Sequence, residues 1–215
     1  MNEKPILNLE ELNKMGRAEE IDVEKENKLM REIISELKKV IRKNDLTALS
    51  APAIGYNKRI FCINIPGSEI KTFINPMPAN YEGLRLTREC CTSIPGKEYI
   101  RPRNTVLDVY YTTPKGTIEN KRFKDEFAFV FQHEIDHLQG ITLDDIGLEI
   151  ESDFDEATDD ERAEIIDMYL DSLDMRRKDL DDSINSDEEL SRVYGAMKFR
   201  EAVMRGEVEF ESSEE

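Results

Sequence analysis

Cysteine is scarce in this 215-residue chain, with three residues in all, and two of them, Cys90 and Cys91, are adjacent. A disulfide framework is excluded, because three thiols are too few and neighbours in sequence do not readily pair. Long apolar runs are missing as well. The best uninterrupted one, Phe127 to Phe131, has five residues, against roughly 20 needed to span a bilayer. The opening MNEKPILNLEELNK lacks the basic end and apolar stretch of a secretory signal. Together these absences predict a soluble protein of a reducing, bacterial-type cytoplasm, with no membrane association.

Basic residues are lacking in one region only. Residues 141–215 hold 26 Asp and Glu against 8 Lys and Arg, a net charge of −18, whereas residues 1–140 carry +1. Such an acidic tail opposes direct nucleic-acid binding and adhesion to anionic lipid, since both are polyanions. It reads as a solvated acidic appendage. The length suits one domain with a substantial core, so the expected organisation is a main domain over residues 1–150 and an acidic, mostly helical extension over 151–215.

What is present begins with an amphipathic pattern. From Val23 to about Lys43 the apolar residues Leu29, Ile33, Leu37 and Val40 recur at spacings of four, four and three, which predicts a helix that Asn44-Asp45 breaks. Leu46 to Gly55 predicts an extended segment ending in a turn, and RIFCINI (Arg59–Ile65) a buried strand closed by Pro66-Gly67. Short strands are expected at Lys71–Ile74, Leu84–Thr87 and Thr105–Thr113, with Thr117–Phe123 returning as a hairpin partner. A second helix is expected from about Lys124 to Gln139, with Asp125 as N-cap and Gly140 as its stop. The fold class is α+β, with small mixed or antiparallel sheets around this central helix. Beyond Asp145, Ala163, Ile166, Leu170, Leu173 and Leu180 mark one further helix. Leu190, Val193, Tyr194, Met197 and Met204 mark another, and GEVEFESSEE a disordered end.

The strongest chemical signal is FQHEIDHLQG, Phe131 to Gly140. Residues four apart on a helix lie one above the other, so His133 and His137 can offer two imidazole nitrogens to one metal ion while Glu134 leans beside it. The protein has only two histidines and both are here. Chance would place two histidines four apart with Glu after the first only about once in a thousand such chains, so the pattern reads as a metal site. The third protein ligand separates enzyme classes. A histidine three residues past Gly140 would define one metalloprotease group, but Leu143 stands there. A later glutamate (Glu149, Glu151 or Glu156) or an upstream cysteine would complete the shell instead.

The order of motifs resembles the peptide deformylase family. QHEIDHLQG is similar to that family's Q-H-E-x-D-H-L-x-G. Glu89-Cys-Cys-Thr-Ser93, followed by Ile94-Pro95, is similar to its E-G-C-L-S, and Leu46-Thr-Ala-Leu-Ser-Ala-Pro-Ala-Ile-Gly55 to its G-x-G-Φ-A-A-P-Q-I-G. The likeness covers roughly residues 25–145. It implies a deformylase-like fold in which Cys91, His133 and His137 bind one divalent metal ion, Fe2+ first, with Zn2+, Ni2+ or Co2+ also accepted. A one-residue register slip would make Cys90 the ligand.

The implied reaction is removal of the N-formyl group from the initiating methionine of nascent polypeptides. Metal-activated water would attack with Glu134 as general acid and base, and the backbone N–H of Thr92 would serve the oxyanion. An N-formyl-Met peptide is then the substrate, with the ribosome or nascent chain as partner. Leu49, Cys90, Phe129 and Val130 are the expected substrate-binding positions. Departures cluster at the same place. Ala53 stands where the family has the glutamine that donates to the oxyanion, Leu46 and Ala48 replace its paired glycines, and Cys90 replaces the glycine before the metal cysteine. The alternative reading is therefore a catalytically impaired, metal-binding relative that acts as a peptide, ribosome or protein binding module. Hydrolysis of a different amide is a third.

Overall fold

The structure is a computed structural model that describes residues 4–64, 69–83, 85–150, 154 and 157–184, with backbone alone over 174–184. Helices α1 (Leu9–Asn13) and α2 (Asn27–Asn44) lead into strands β1 (Ala48–Ser50), β2 (Ile60–Ile63), β3 (Lys71–Glu82), β4 (Arg85–Cys91) and β5 (Ile94–Arg103). Strands β6 (Val106–Thr112) and β7 (Ile118–Lys124) then precede helices α3 (Asp125–Leu138) and α4 (Leu143–Ile146), strand β8 (Leu148–Glu149) and helix α5 (Asp159–Ile184). The strands form a five-stranded sheet in the order β1-β2-β3-β6-β7 and a three-stranded sheet in the order β4-β5-β8. Every ladder in both sheets is antiparallel. None of the described helices is long and apolar enough to cross a membrane.

The continuous apolar run in β2 has a simple cause: both faces of this strand are covered. Ile60 and Cys62 point into a core shared with Met30, Ile33, Leu37, Val40 and Ile41 of α2. Phe61 and Ile63, on the opposite face, join a second core with Phe131, Ile135 and Leu138 of α3. Alternate residues of a strand face opposite ways, so a strand between two helical layers must be apolar at every position. Aromatic rings fill the second core, with Phe131 edge-on to Phe61 at 4.7 Å and to Phe73 at 4.9 Å between centroids, an arrangement their quadrupoles favour.

Helix α2 buries a broader stripe than its leading periodicity implies. Met30, Ile34 and Ile41 join the expected Ile33, Leu37 and Val40, while Leu29 is half-buried. Asp45 ends the helix in the left-handed conformation at φ 50°, its N–H donating to the Ile41 carbonyl. Strand β3 runs past the expected end at Ile74 through Pro76 and Pro78. It can do so because β2 pairs only as far as Ile74 and the ladder to β6 is irregular on either side of Met77–Pro78, where prolines are tolerated. Strand β5 has no counterpart among the expected elements: its Pro95, Gly96, Pro102 and charged residues read as loop, yet it forms the middle of the second sheet. The β6–β7 hairpin forms as expected.

Asp125 does not cap α3. The cap position falls on Lys124, whose side chain makes no capping bond, and Asp125 follows as the first helical residue. In the C-terminal segment, α5 matches the first of the two expected helices; the second and the GEVEFESSEE end lie outside the described residues. Among the described side chains of α5, Tyr169 is the buried one, and its hydroxyl donates to the Ile146 carbonyl at 2.7 Å. Ile166, Leu170 and Leu173 are half-buried, whereas Ala163 is exposed.

Gly140 stops α3 and does more. Its φ is +74°, and an added Cβ would sit 2.7 Å from the Gly16 carbonyl carbon, where the N-terminal segment crosses the helix end. Ala18 N–H donates to the Leu138 carbonyl in the same crossing. Gly140→Ala should therefore destabilise the protein by about 1–3 kcal/mol, through left-handed strain combined with displacement of that segment. Denaturant unfolding measures this, and a loss below about 0.5 kcal/mol would contradict the close packing.

Candidate metal centre

Three side chains from two elements converge on one point. His133 and His137 stand one turn apart on α3, with their Nε2 atoms 3.1 Å apart and their rings nearly perpendicular at 86°. Cys91, the last residue of β4, brings Sγ to 3.4 Å from His137 Nε2. These are the three ligand atoms that could share an ion among the described residues, and all lie within 4.8 Å of one another. Tetrahedral zinc distances of about 2.0–2.1 Å to nitrogen and 2.3 Å to sulfur place ligand atoms roughly 3.3–3.6 Å apart. The observed spacing fits a small divalent ion, and a thiolate with two imidazoles suits iron, zinc, nickel or cobalt.

The strand explains which cysteine lies beside the histidines. Glu89 and Cys91 are two residues apart on β4 and share the face toward α3, whereas Cys90 between them is exposed. The alternation separates the two adjacent thiols. Among the glutamates considered as third ligand, Glu149 lies on β8 and pairs with Lys97 at 2.8 Å, and Glu151 and Glu156 lie outside the described residues.

Behind the ligands is a buried ionic network that local sequence patterns do not reveal. Arg103 is 2% exposed. It donates through Nε and Nη2 to the two oxygens of Glu89, at 2.6 and 2.8 Å, and through Nη1 to Asp136 at 2.5 Å. Arg101 adds a second cation 3.3 Å from Asp136. His133 Nδ1–H then donates to Glu89 Oε2 at 3.0 Å, which leaves Nε2 free for a metal. Gln132, also unassigned from sequence, fixes the helix itself: its amide donates to the Asn104 and Ala128 carbonyls, and its oxygen accepts from Asn104 N–H.

The electrostatics follow from this packing. Burial would raise the Cys91 thiol, but hydrogen bonds and charge from His133 and His137 bring it down to about 5. Burial would lower His133, but Cys91 and Glu89 hold it up at about 10. Glu89 is also buried, and Arg103 and His133 keep it well below the usual carboxylate range. Glu134, 5% exposed, is raised by burial despite the neighbouring imidazoles, and its Oε2 has no hydrogen-bond partner among the described residues. A group of this kind, beside three ligands, is equipped to take and return a proton.

The remaining sequence-selected residues divide. Thr92 is exposed in the turn that follows Cys91. Phe129 is half-buried with the Arg85 guanidinium over its ring at 5.9 Å, and Val130 packs on the second core. Leu49 and Ala53 are each 2% exposed within the first core, so Leu49 can offer a substrate only its backbone. Ala53 brings a methyl group, and its carbonyl accepts from Leu7 N–H.

The chain was compared with known proteins. The family profile described as polypeptide deformylase matches residues 4–148. The peptide deformylase of Dictyoglomus turgidum is 32% identical over 145 residues, covering 67% of this chain and 88% of that one. The crystal structure of peptide deformylase from Thermotoga maritima superposes with a TM-score of 0.62 at 24% identity, over 67% of this chain and 97% of that one. A Met-Ala-Ser-bound class I type b peptide deformylase from Acinetobacter baumannii also scores 0.62, at 21% identity, over 67% and 99% of the two chains. Since the family profile spans the ligand-bearing strand and helix together with the cores that hold them, the chain belongs to the peptide deformylase family of metallohydrolases.

Proposed function

We propose that the protein hydrolyses the N-formyl group of the initiating methionine of nascent polypeptides, with residues 1–150 as the catalytic unit and 151–215 as an acidic extension. The observation that carries this reading is the convergence of Cys91, His133 and His137 beside the buried carboxyl of Glu134. A divalent ion held by these three ligands would supply Lewis acidity and lower the pKa of water toward neutrality. Fe2+ is the proposed ion, and Zn2+, Ni2+ and Co2+ would fit the same ligands.

Glu134 takes a proton from the attacking water as oxygen bonds to the formyl carbon, then gives it to the amine nitrogen as the C–N bond breaks. Formate and a free N-terminal amine result. Thr92 N–H stabilises the oxyanion. Ala53 adds no donor, and the lack of one such donor costs about 100- to 1000-fold in turnover. Cys90 and Phe129 line the approach of the substrate. Binding of a Met-Ala-Ser peptide by the Acinetobacter relative supports a peptide substrate here, presented by the nascent chain at the ribosome. The Ala53 methyl favours a second reading, a peptide-binding relative with little or no turnover, but such a protein has no need for Glu134.

Purified protein reconstituted anaerobically with Fe2+ should release formate from formyl-Met peptides, and Glu134→Ala should abolish this while keeping the metal. Equal turnover by that variant and its parent would sink the assignment. Metal analysis should find that Cys91→Ser loses the ion and Cys90→Gly retains it; the reverse pattern would make Cys90 the ligand.

Loading also has a proton signature. With Cys91 already a thiolate above about 5 and His133 protonated below about 10, protons compete with the ion mainly at His133 near neutrality. Apparent affinity should then rise about tenfold per pH unit across the neutral range, with about one proton released from His133 per ion bound. Indicator dye in weak buffer reads the release, and no release would show that His133 was neutral beforehand.

A further inference from the structure

Helix α4 is a single turn, Leu143–Ile146, and one turn does not hold itself. Its placement bears directly on the thiol of the cluster. Cys91 packs in a small core with Ile94, Tyr99 and Leu143, and α4 sets two of those three neighbours. Leu143 is its first residue, and its Asp144 accepts from the Tyr99 hydroxyl at 3.0 Å. Tyr99 also closes on the end of the turn, where a Cβ added at Gly147 would lie 3.0 Å from Tyr99 Cβ and 2.7 Å from the Leu143 carbonyl oxygen.

Both ends of α4 are tied. At the start, the Thr142 N–H and hydroxyl each donate to Asp145 at 2.8 Å. At the finish, the Ile146 carbonyl is one of those a helix leaves unpaired, and it accepts from the Tyr169 hydroxyl at 2.7 Å. Tyr169 belongs to α5, beyond residue 148 where the family profile ends, and it is 7% exposed. The second tie therefore comes from the acidic extension.

We propose that Tyr169 is a positioning residue for the metal centre: it fixes α4, and α4, through Leu143 and Asp144, fixes the packing behind Cys91. This rests on Cys91 as a metal ligand, not on the reaction catalysed. The histidines stand on a 14-residue helix, but Cys91 ends its strand, and the β4–β5 ladder is irregular between Glu89 and Cys91. Strand pairing alone therefore holds the thiol less firmly than α3 holds the imidazoles. Loosening α4 lets the sulfur leave the ion more often while His133 and His137 stay in place.

The test uses the full-length chain loaded with Co2+, whose thiolate charge-transfer band decays as excess chelator removes the ion. Tyr169→Phe removes only the hydroxyl and should speed release about three- to tenfold, the range of one hydrogen bond. Tyr111→Phe is the matched control. Tyr111 is as buried, at 8%, and its hydroxyl donates to Glu119 at 2.7 Å within the other sheet, so release should keep the parental rate. In the metal-free protein, amide hydrogen exchange over residues 91–100 should quicken in Tyr169→Phe and not in Tyr111→Phe. Unchanged release or unchanged exchange in Tyr169→Phe overturns the proposal. Equal acceleration in both variants also overturns it, since that reports lost stability rather than lost position. If the parent binds no Co2+, the metal reading fails, and exchange over 91–100 alone decides whether Tyr169 holds the packing behind Cys91.

Discussion

The site is built on one buried cation. Arg103 has almost no contact with solvent, and burial disfavours its charge, yet Asp136 and Glu89 raise its pKa so that it stays protonated. Removing one partner from such a group typically costs about 3–5 kcal/mol, because an uncompensated charge is left behind. The cation therefore dictates where two carboxylates must sit. Glu89 comes from β4, Asp136 from α3 and Arg103 itself from β5, so satisfying it locks the second sheet to the central helix. With Arg101 also on Asp136, two cations face two anions and the cluster is neutral overall. That neutrality makes a dry interior tolerable.

The same network reaches the ligands through one hydrogen bond. Glu89 holds both ends of the relationship: Arg103 keeps it ionised, and its Oε2 accepts from His133 Nδ1–H. An ionised acceptor fixes the imidazole tautomer and raises its basicity, as expected of an outer-shell carboxylate. The alternation along β4 then places Cys91 on the same face, two residues from Glu89, where positive imidazole character draws its thiol down. Opposite trends at Cys91 and Glu134 come from differing contact with the same imidazoles. The thiol accepts hydrogen bonds from them, whereas the carboxyl feels burial most.

Much of the architecture was legible in the sequence wherever burial imposes a period. Helix α2, helix α3 and strand β2 all carry apolar patterns that follow directly from which faces are covered. Strand β5 was not legible, because its interior-facing residues include Arg103 and its ladder tolerates prolines. An ion pair between residues 14 or 33 positions apart leaves no local spacing to find. Gln132 was visible as part of a motif, but its clamp on Asn104 depends on a turn 28 residues upstream. The cluster of three candidate ligands was legible from spacing for the histidines and from resemblance for Cys91. That Cys91 rather than Cys90 joins the histidines acquires a physical cause only once β4 is drawn as a strand.

The segment His133-Glu-Ile-Asp-His137 shows why this helix admits a single register. Successive helical residues point about 100° apart, and here five consecutive residues meet four different demands. His133 and His137 face the thiol, Ile135 enters the aromatic core, Asp136 meets Arg103 and Arg101, and Glu134 lies buried beside the ligands. A rotation by one residue would put a carboxylate into the core and an isoleucine against two guanidinium groups. Hydrophobic burial on one side and charge compensation on the other therefore fix the same angle independently. Glu89 adds the final constraint through its hydrogen bond to His133, so the Cys91–His133–His137 cluster is arranged by the fold itself.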